Sequence, residues 1–233
     1  MTRSGFPDGH EQRLIRAFFG ARRGFFVEVG ANDPQARSQT YHLEQDGWTG
    51  ILIEPQPDLA ERLRARRSAR VFAAACSAPE HAGKSLTLHV AGPLSALDRN
   101  RMAPGAVPEC VIDVPVRTLD SVLAEAGAPV GFDFLSIDVE GHECEVLSGF
   151  DAAHWRPQLI LLEDHVENLA KHRVLKAMGY RLIRRYENNG WYVPKDAPQR
   201  VAPGDRFEIL RKYYLALPFR IVRNALRALR RKR

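Results

Sequence analysis

Four acidic groups stand where aliphatic runs stop. Glu28-Val29-Gly30-Ala31-Asn32-Asp33 closes the run 25–29, Glu54 closes 50–53, Asp138 closes 132–137, and Glu163-Asp164 closes 158–162. A carboxylate at the end of a buried strand contributes little packing, and it is displayed where open α/β sheets take ligands. Gly30 permits a tight turn whose backbone can approach a nucleotide-like ligand. Glu54, 24 residues further on, is placed to accept hydrogen bonds from both hydroxyls of a ribose. The competing explanations are a glycine that only turns the chain and an acid that only meets water. Asp138 is followed by Val139-Glu140-Gly141-His142-Glu143, a turn that exposes Glu140 and His142. An acid in a first helical turn, such as Glu143, also offsets the helix dipole.

The elements that must carry these groups follow from periodicity. Helices are expected at 11–19, 40–47, 59–67 (capped by Asp58), 119–126, 144–150 and 168–178. Strands are expected at 25–29, 50–54, 71–75, 85–90, 111–116, 132–137 and 158–162. A closing hairpin, 180–185 and 191–193, should turn at Asn188-Asn189-Gly190. Alternating strands and helices with short joints predict a mostly parallel, Rossmann-like α/β sheet covered on both faces, with an antiparallel edge hairpin. Residues 92–108 hold several prolines and glycines and are expected to form a cap loop over the site.

Bulk properties narrow the setting. The chain of 233 residues is 45% hydrophobic and 27% charged, as expected for a globular protein with one domain at 1–205. No apolar stretch is long enough to span a bilayer, and the polar start lacks the apolar core of a secretory signal. Three cysteines without metal-type spacing point to a reducing cytoplasm. The net charge of +6 is unevenly placed. Residues 206–233 carry ten Lys/Arg against Glu208 alone, while the rest holds 24 basic and 27 acidic side chains.

Taken in order, Gly24-Phe25-Phe26-Val27-Glu28-Val29-Gly30-Ala31-Asn32-Asp33, Leu52-Ile53-Glu54-Pro55, Arg117-Thr118-Leu119-Asp120 and Ile137-Asp138-Val139-Glu140-Gly141-His142-Glu143 resemble the FkbM family of methyltransferases. The similarity runs from about residue 11 to 185. It implies the class I methyltransferase fold, S-adenosyl-L-methionine as methyl donor, and acceptors that are hydroxyls of sugars, glycan intermediates or natural products. Asn32 stands where a second glycine is common in the wider class. The resemblance makes Glu28, Gly30, Asn32, Asp33, Glu54 and Asp138 the expected cofactor-binding set.

Methylating a hydroxyl requires alignment and proton removal. Asp138, Glu140, His142 and His165 are the candidate bases, with the first three expected to be catalytic. Asp138, Glu163 and Asp164 would be the oxygen ligands of Mg²⁺, although a metal-free site is preferred. Two other classes compete. A dehydrogenase using NAD would share the sheet but normally shows a fuller G-x-G-x-x-G, absent after Val29. A non-catalytic, membrane-associated binding subunit would have the basic tail as its working part.

In that tail Phe219, Val222, Leu226 and Leu229 share one helical face, widened by Ile221 and Ala225. Arg220, Arg223, Arg227, Arg230 and Arg231 fill the remainder. A peripheral contact of 219–233 with an anionic membrane at its inner face is expected. Packing of the apolar face on the domain and nonspecific nucleic-acid contact are the alternatives; no specific nucleic acid is expected.

Overall fold

The computed structural model describes residues 9–102 and 105–223. Its centre is a seven-stranded sheet formed by β1 (Phe25–Val29), β2 (Thr49–Ile53), β3 (Arg70–Phe72), β7 (Phe134–Ile137), β8 (Leu159–Glu163), β9 (Tyr180–Tyr186) and β10 (Asn189–Pro194). Their order across the sheet is β3-β2-β1-β7-β8-β10-β9. The first five run parallel, and β10 is antiparallel to both β8 and β9. This is the Rossmann-like class I methyltransferase fold, with its antiparallel edge.

The central strands β1, β2, β7 and β8 are mostly apolar because both faces are covered. Val27, Val29, Ile51, Ile53, Leu135 and Ile137 face one core. Phe26, Leu52, Phe134, Leu159 and Leu161 face the other, as the two-residue alternation of a strand requires. The helices α4 (Leu119–Ala126), α5 (Glu143–Ser148), α6 (Ala152–Trp155) and α7 (Ala170–Ala177) pack on the first face. On the second lie α1 (His10–Phe19), α2 (Tyr41–Gln45) and α3 (Pro57–Arg66).

A smaller sheet of β4 (Ala75–Cys76), β5 (Ser85–Val90) and β6 (Cys110–Arg117) lies between β3 and α4. It has its own cluster of Ala75, Leu88, Val114 and Val116. The block 117–120 is architectural: the Thr118 hydroxyl caps α4 by accepting from Ser121 N, and Asp120 accepts from Asp151 N at 2.8 Å.

Three local expectations are corrected. Pro57, at the first helical position, starts α3 after Gln56, so Asp58 lies in the first turn and is not the cap. The run expected at 71–75 divides into β3 and β4, which join different sheets. The hairpin turns at Glu187 and Asn188, with Tyr186 paired to Asn189. Gly190 is therefore a strand residue; a Cβ there would lie 2.7 Å from the Tyr192 ring. Beyond residue 205 the chain packs on the domain, with Tyr213 and Leu217 buried in the main core. Of the apolar face read in the tail, Ala225, Leu226 and Leu229, together with Arg227, Arg230 and Arg231, lie outside the described residues.

Gly30 sets how closely β1 and β7 approach at their ends. Its φ is +83°, and a Cβ would lie 1.8 Å from the carbonyl oxygen of Asp138. Gly30→Ala therefore combines a left-handed backbone with a backbone collision. It should cost about 3 kcal/mol or more, lowering Tm by roughly 6–12 °C. Thermal unfolding followed by circular dichroism checks this, and an unchanged Tm would remove the constraint.

Candidate active site

The ends of β1, β2 and β7 meet where the chain order reverses across the sheet, the usual ligand position in such folds. A cavity of about 320 Å³ opens there, lined by residues that include Gly30, Glu54, Gln56, Cys76, Ser136 and Asp138. Backbone bonds hold the strand ends in place: Gly30 N donates to Ile53 O at 2.9 Å, Asp138 N to Val29 O at 3.0 Å, and Glu54 N to Phe72 O at 3.0 Å.

Glu54 is buried and accepts Asn32 N at 2.8 Å and Gln56 N at 2.9 Å. Each carboxylate oxygen keeps a free lone pair toward the cavity. Burial raises its pKa to about 7, against the lowering effect of the two backbone donors. Asn32 offers its backbone N–H from a left-handed φ of +49°, a conformation that asparagine tolerates better than most residues. Asp33 lines the cavity, but its carboxylate is engaged locally by Gln35 N, Ala36 N and Arg62.

Glu28 also borders the cavity. Its carboxylate, however, accepts from the Thr40 and Ser38 hydroxyls and from Gln39 N, with Arg67 reaching the same hydroxyls. Glu28 thus acts as a brace that holds the segment 38–40 and sets Gln39 on the cavity wall.

Asp138 and Glu140 also line the cavity, and Glu163, outside the lining, converges with them, oxygens of all three lying within 4.8 Å of one another. Asp138 opens to the cavity yet is ringed by protein. Its pKa is held well above the carboxylate range by desolvation, then by the charges of Glu163, Glu140 and Glu143, and its carboxyl hydrogen-bonds Glu163. Glu140 is raised to about 7, by burial first and then by Glu163. Burial pushes Glu163 up as well. The hydrogen bond and charge of His165, the Lys171 ammonium and the bond from Asp138 outweigh it, and Glu163 ends below its ordinary value. His165 Nε2 lies 3.1 Å from Glu163 Oε1, and the Lys171 ammonium bridges Glu163 O at 2.8 Å and the buried Glu143 at 2.6 Å.

A sequence profile of the methyltransferase FkbM domain matches residues 28–182, more than half of the chain. The chain belongs to the FkbM methyltransferase family. Among solved structures it is similar to a methyltransferase FkbM from Methylobacillus flagellatus KT, at 15% identity and a TM-score of 0.46, covering 73% of this chain and 43% of that one. It is also similar to a methyltransferase-like protein from Silicibacter pomeroyi DSS-3, at 12% identity and a TM-score of 0.47, covering 91% and 96%. A TehB-like SAM-dependent methyltransferase from Corynebacterium glutamicum is similar at 12% identity and a TM-score of 0.44, covering 81% and 87%. This chain spans less than half the length of the Methylobacillus protein. No curated protein matches it by sequence.

In this family member two expected site residues are placed elsewhere. His142 lies outside the cavity lining: its ring is buried, with Nε2 2.9 Å from the Ser77 hydroxyl, and burial lowers its pKa. Asp164 is replaced by Glu140 in the acidic group. Successive residues at a strand end point to opposite sides, so Glu163 meets Asp138 while Asp164 turns inward to accept Tyr213 Oη at 2.8 Å and Val166 N at 2.7 Å.

Other site residues carried no linear signal. Lys171 reaches the acids only because α7 packs on α5, and Gln39 depends on the Glu28 brace. The cap contributes Gly92, Pro93, Ser95 and Leu97 to the lining. It is tied down by Gln56 Nε2 to Ser95 Oγ at 3.2 Å and by Arg101, which donates to Gly141 O at 2.6 Å and pairs with Glu145.

The raised value of Glu54 has a stability consequence. Between its ordinary value of 4.5 and about 7, the folded state holds a proton that the unfolded chain releases. The associated stabilisation is complete below 4.5 and is lost as pH rises through about 7. Glu54→Gln should therefore show a shallower decline of Tm across that interval than the parent protein. Equal slopes would place the carboxyl in water-like surroundings.

Proposed function

We propose that the protein is an S-adenosylmethionine-dependent O-methyltransferase acting on a hydroxyl of a sugar, glycan intermediate or related natural product. The observation that carries this reading is a cavity lined by a hydroxyl-accepting carboxylate, Glu54, and by Asp138 and Glu140, whose carboxylates converge with that of Glu163. The donor set fits the cofactor. Glu54 has spare acceptor capacity for a ribose diol, Asn32 and Gln56 hold it in place, and Gly30 and Ala31 give a wall without bulk. The volume lies at the lower end of the range for small-molecule pockets, roughly 300–1,000 Å³.

When bound, S-adenosylmethionine supplies a methyl group made electrophilic by its positively charged sulfur. The chain's own residues position the acceptor and manage its proton. Glu140, with a value of about 7, matches the working pH of a general base and takes the hydroxyl proton. Asp138, whose pKa burial and its acidic neighbours raise, hydrogen-bonds Glu163 beside Glu140. Lys171 and His165 hold Glu163 ionised. With the methyl that the cofactor would supply, the acceptor oxygen would become a methyl ether, the carbon–sulfur bond would break with its electron pair left on sulfur, and the hydroxyl proton would rest on Glu140. The same three acids would be the oxygen ligands if Mg²⁺ is bound; the route proposed here is metal-free.

Calorimetry should detect binding of S-adenosylmethionine and none of NAD. Glu54→Gln should weaken the former by about 1–3 kcal/mol; binding of NAD alone would turn the assignment to hydride transfer. Glu140→Gln and Asp138→Asn should lower turnover by about tenfold or more at saturating donor, with donor affinity nearly unchanged in Glu140→Gln. Full turnover in both variants would make the acids architectural. Chelator treatment should leave activity intact, and loss restored by Mg²⁺ would overturn the metal-free route.

A further inference from the structure

Beyond β10 the chain forms α8 (Pro203–Ile209), a π-helical stretch Leu210–Leu215, and further helix over 217–223. One side of this segment is fully engaged. Ile209, Tyr213 and Leu217 enter the core, the Tyr213 hydroxyl donates to Asp164, and Arg184 pairs with Asp205. Lys212 donates to Glu187 O, and Arg220 to Val166 O. The other side is apolar and bare. Among the described residues, eleven large apolar side chains are exposed, and seven of them fall within 207–222. Phe207, Leu210, Tyr214, Leu215, Phe219 and Val222 are 48–78% exposed. Concentrations of this kind mark contact surfaces.

Charge identifies the occupant. Residues 206–233 carry ten Lys/Arg, and the one acid, Glu208, is already paired with Arg211 and Lys212. An apolar strip flanked by cations complements a layer whose surface is anionic and whose interior is hydrocarbon. Among the described residues no helix is long and apolar enough to cross a membrane, so the strip would lie along the surface. The geometry points to residues 207–223 as a docking face for an anionic phospholipid surface, anchored to the domain through Tyr213 and Leu217. This face is independent of the reaction assigned to the cavity. On the opposite, buried side of the segment Tyr213 holds Asp164, next in the chain to Glu163.

The test is sedimentation of the full chain with phosphatidylcholine vesicles, with and without phosphatidylglycerol. The protein should pellet with the anionic vesicles, stay in solution with the neutral ones, and be released by high salt. The double variant Leu215→Glu, Phe219→Glu should reduce partitioning by about tenfold or more with an unchanged melting curve, since both side chains are exposed. Equal partitioning of parent and variant, or none by either, would overturn the proposal. So would a solution dimer that the double variant dissociates without vesicle binding, since a second copy would then cover the strip. Retention of the parent on duplex DNA without vesicle binding would assign the cations to nucleic acid and equally overturn it.

Discussion

The contact between Gly30 and the Asp138 carbonyl governs the working edge of this molecule. The carbonyl oxygen sits where any other residue at position 30 would carry its Cβ, so β1 and β7 end closer together than side chains would allow. Both chains must then leave sharply. Asn32 after β1 and Glu140 after β7 have left-handed backbones, as does Val166 after β8. Non-glycine residues adopt that conformation at a cost of order 1–3 kcal/mol, offset here by the bonds that each turn makes. Asn32 N binds Glu54, Gly141 N binds Glu143, and Val166 N binds Asp164. The strained turns are thus the means by which backbone groups reach the buried acids.

Crowding of those acids creates the chemistry. Four carboxyls that border or adjoin one small cavity cannot all ionise, because each charge raises the cost of the next. The outcome depends on where the cations are. Lys171 and His165 stand against Glu163 and lower its pKa, while burial and the neighbouring acids raise that of Asp138. Glu140, partly solvated, is left near 7. Glu54 reaches a similar value by another route, burial with only backbone donors for partners. Burial pushes Glu28 up as well, against the lowering effect of the Thr40 hydroxyl, Arg67, the Gln39 amide and the Ser38 hydroxyl.

The sheet was legible because its strands are apolar runs of ordinary length separated by helical periodicities, and both signals are local. Positions at strand ends were legible for the same reason: Gly30, Glu54 and Asp138 are read as site residues without knowledge of pairing. The readings that failed needed more than adjacency. Asn189-Gly190 is a strong turn signal, but the register imposed by β8 on β10 moves the reversal to Glu187 and Asn188. Glu163 and Asp164 are indistinguishable in the chain and are separated only by which one the strand parity turns toward Asp138. Histidine is a residue type that ordinarily titrates near neutrality, yet burial lowers the pKa of His142, and its ring lies against Ser77, outside the lining.

What the amino-acid order determined by itself is the alternation of strand and helix, the family, the acids at three strand ends, and the concentration of positive charge beyond residue 205. Each is a property of neighbours along the chain, where periodicity, turn chemistry and composition act. Tertiary structure alone decided which acids share a proton, which cation stands against them, and which apolar residues of the last segment stay bare. These outcomes depend on packing between elements far apart in sequence. Lys171 lies 28 residues from Glu143 and meets it at 2.6 Å, and Tyr213 lies 49 residues from Asp164 and binds it at 2.8 Å. Electrostatic energies vary steeply over such distances inside a protein, so the chemistry of the site is set by contacts that no local pattern encodes.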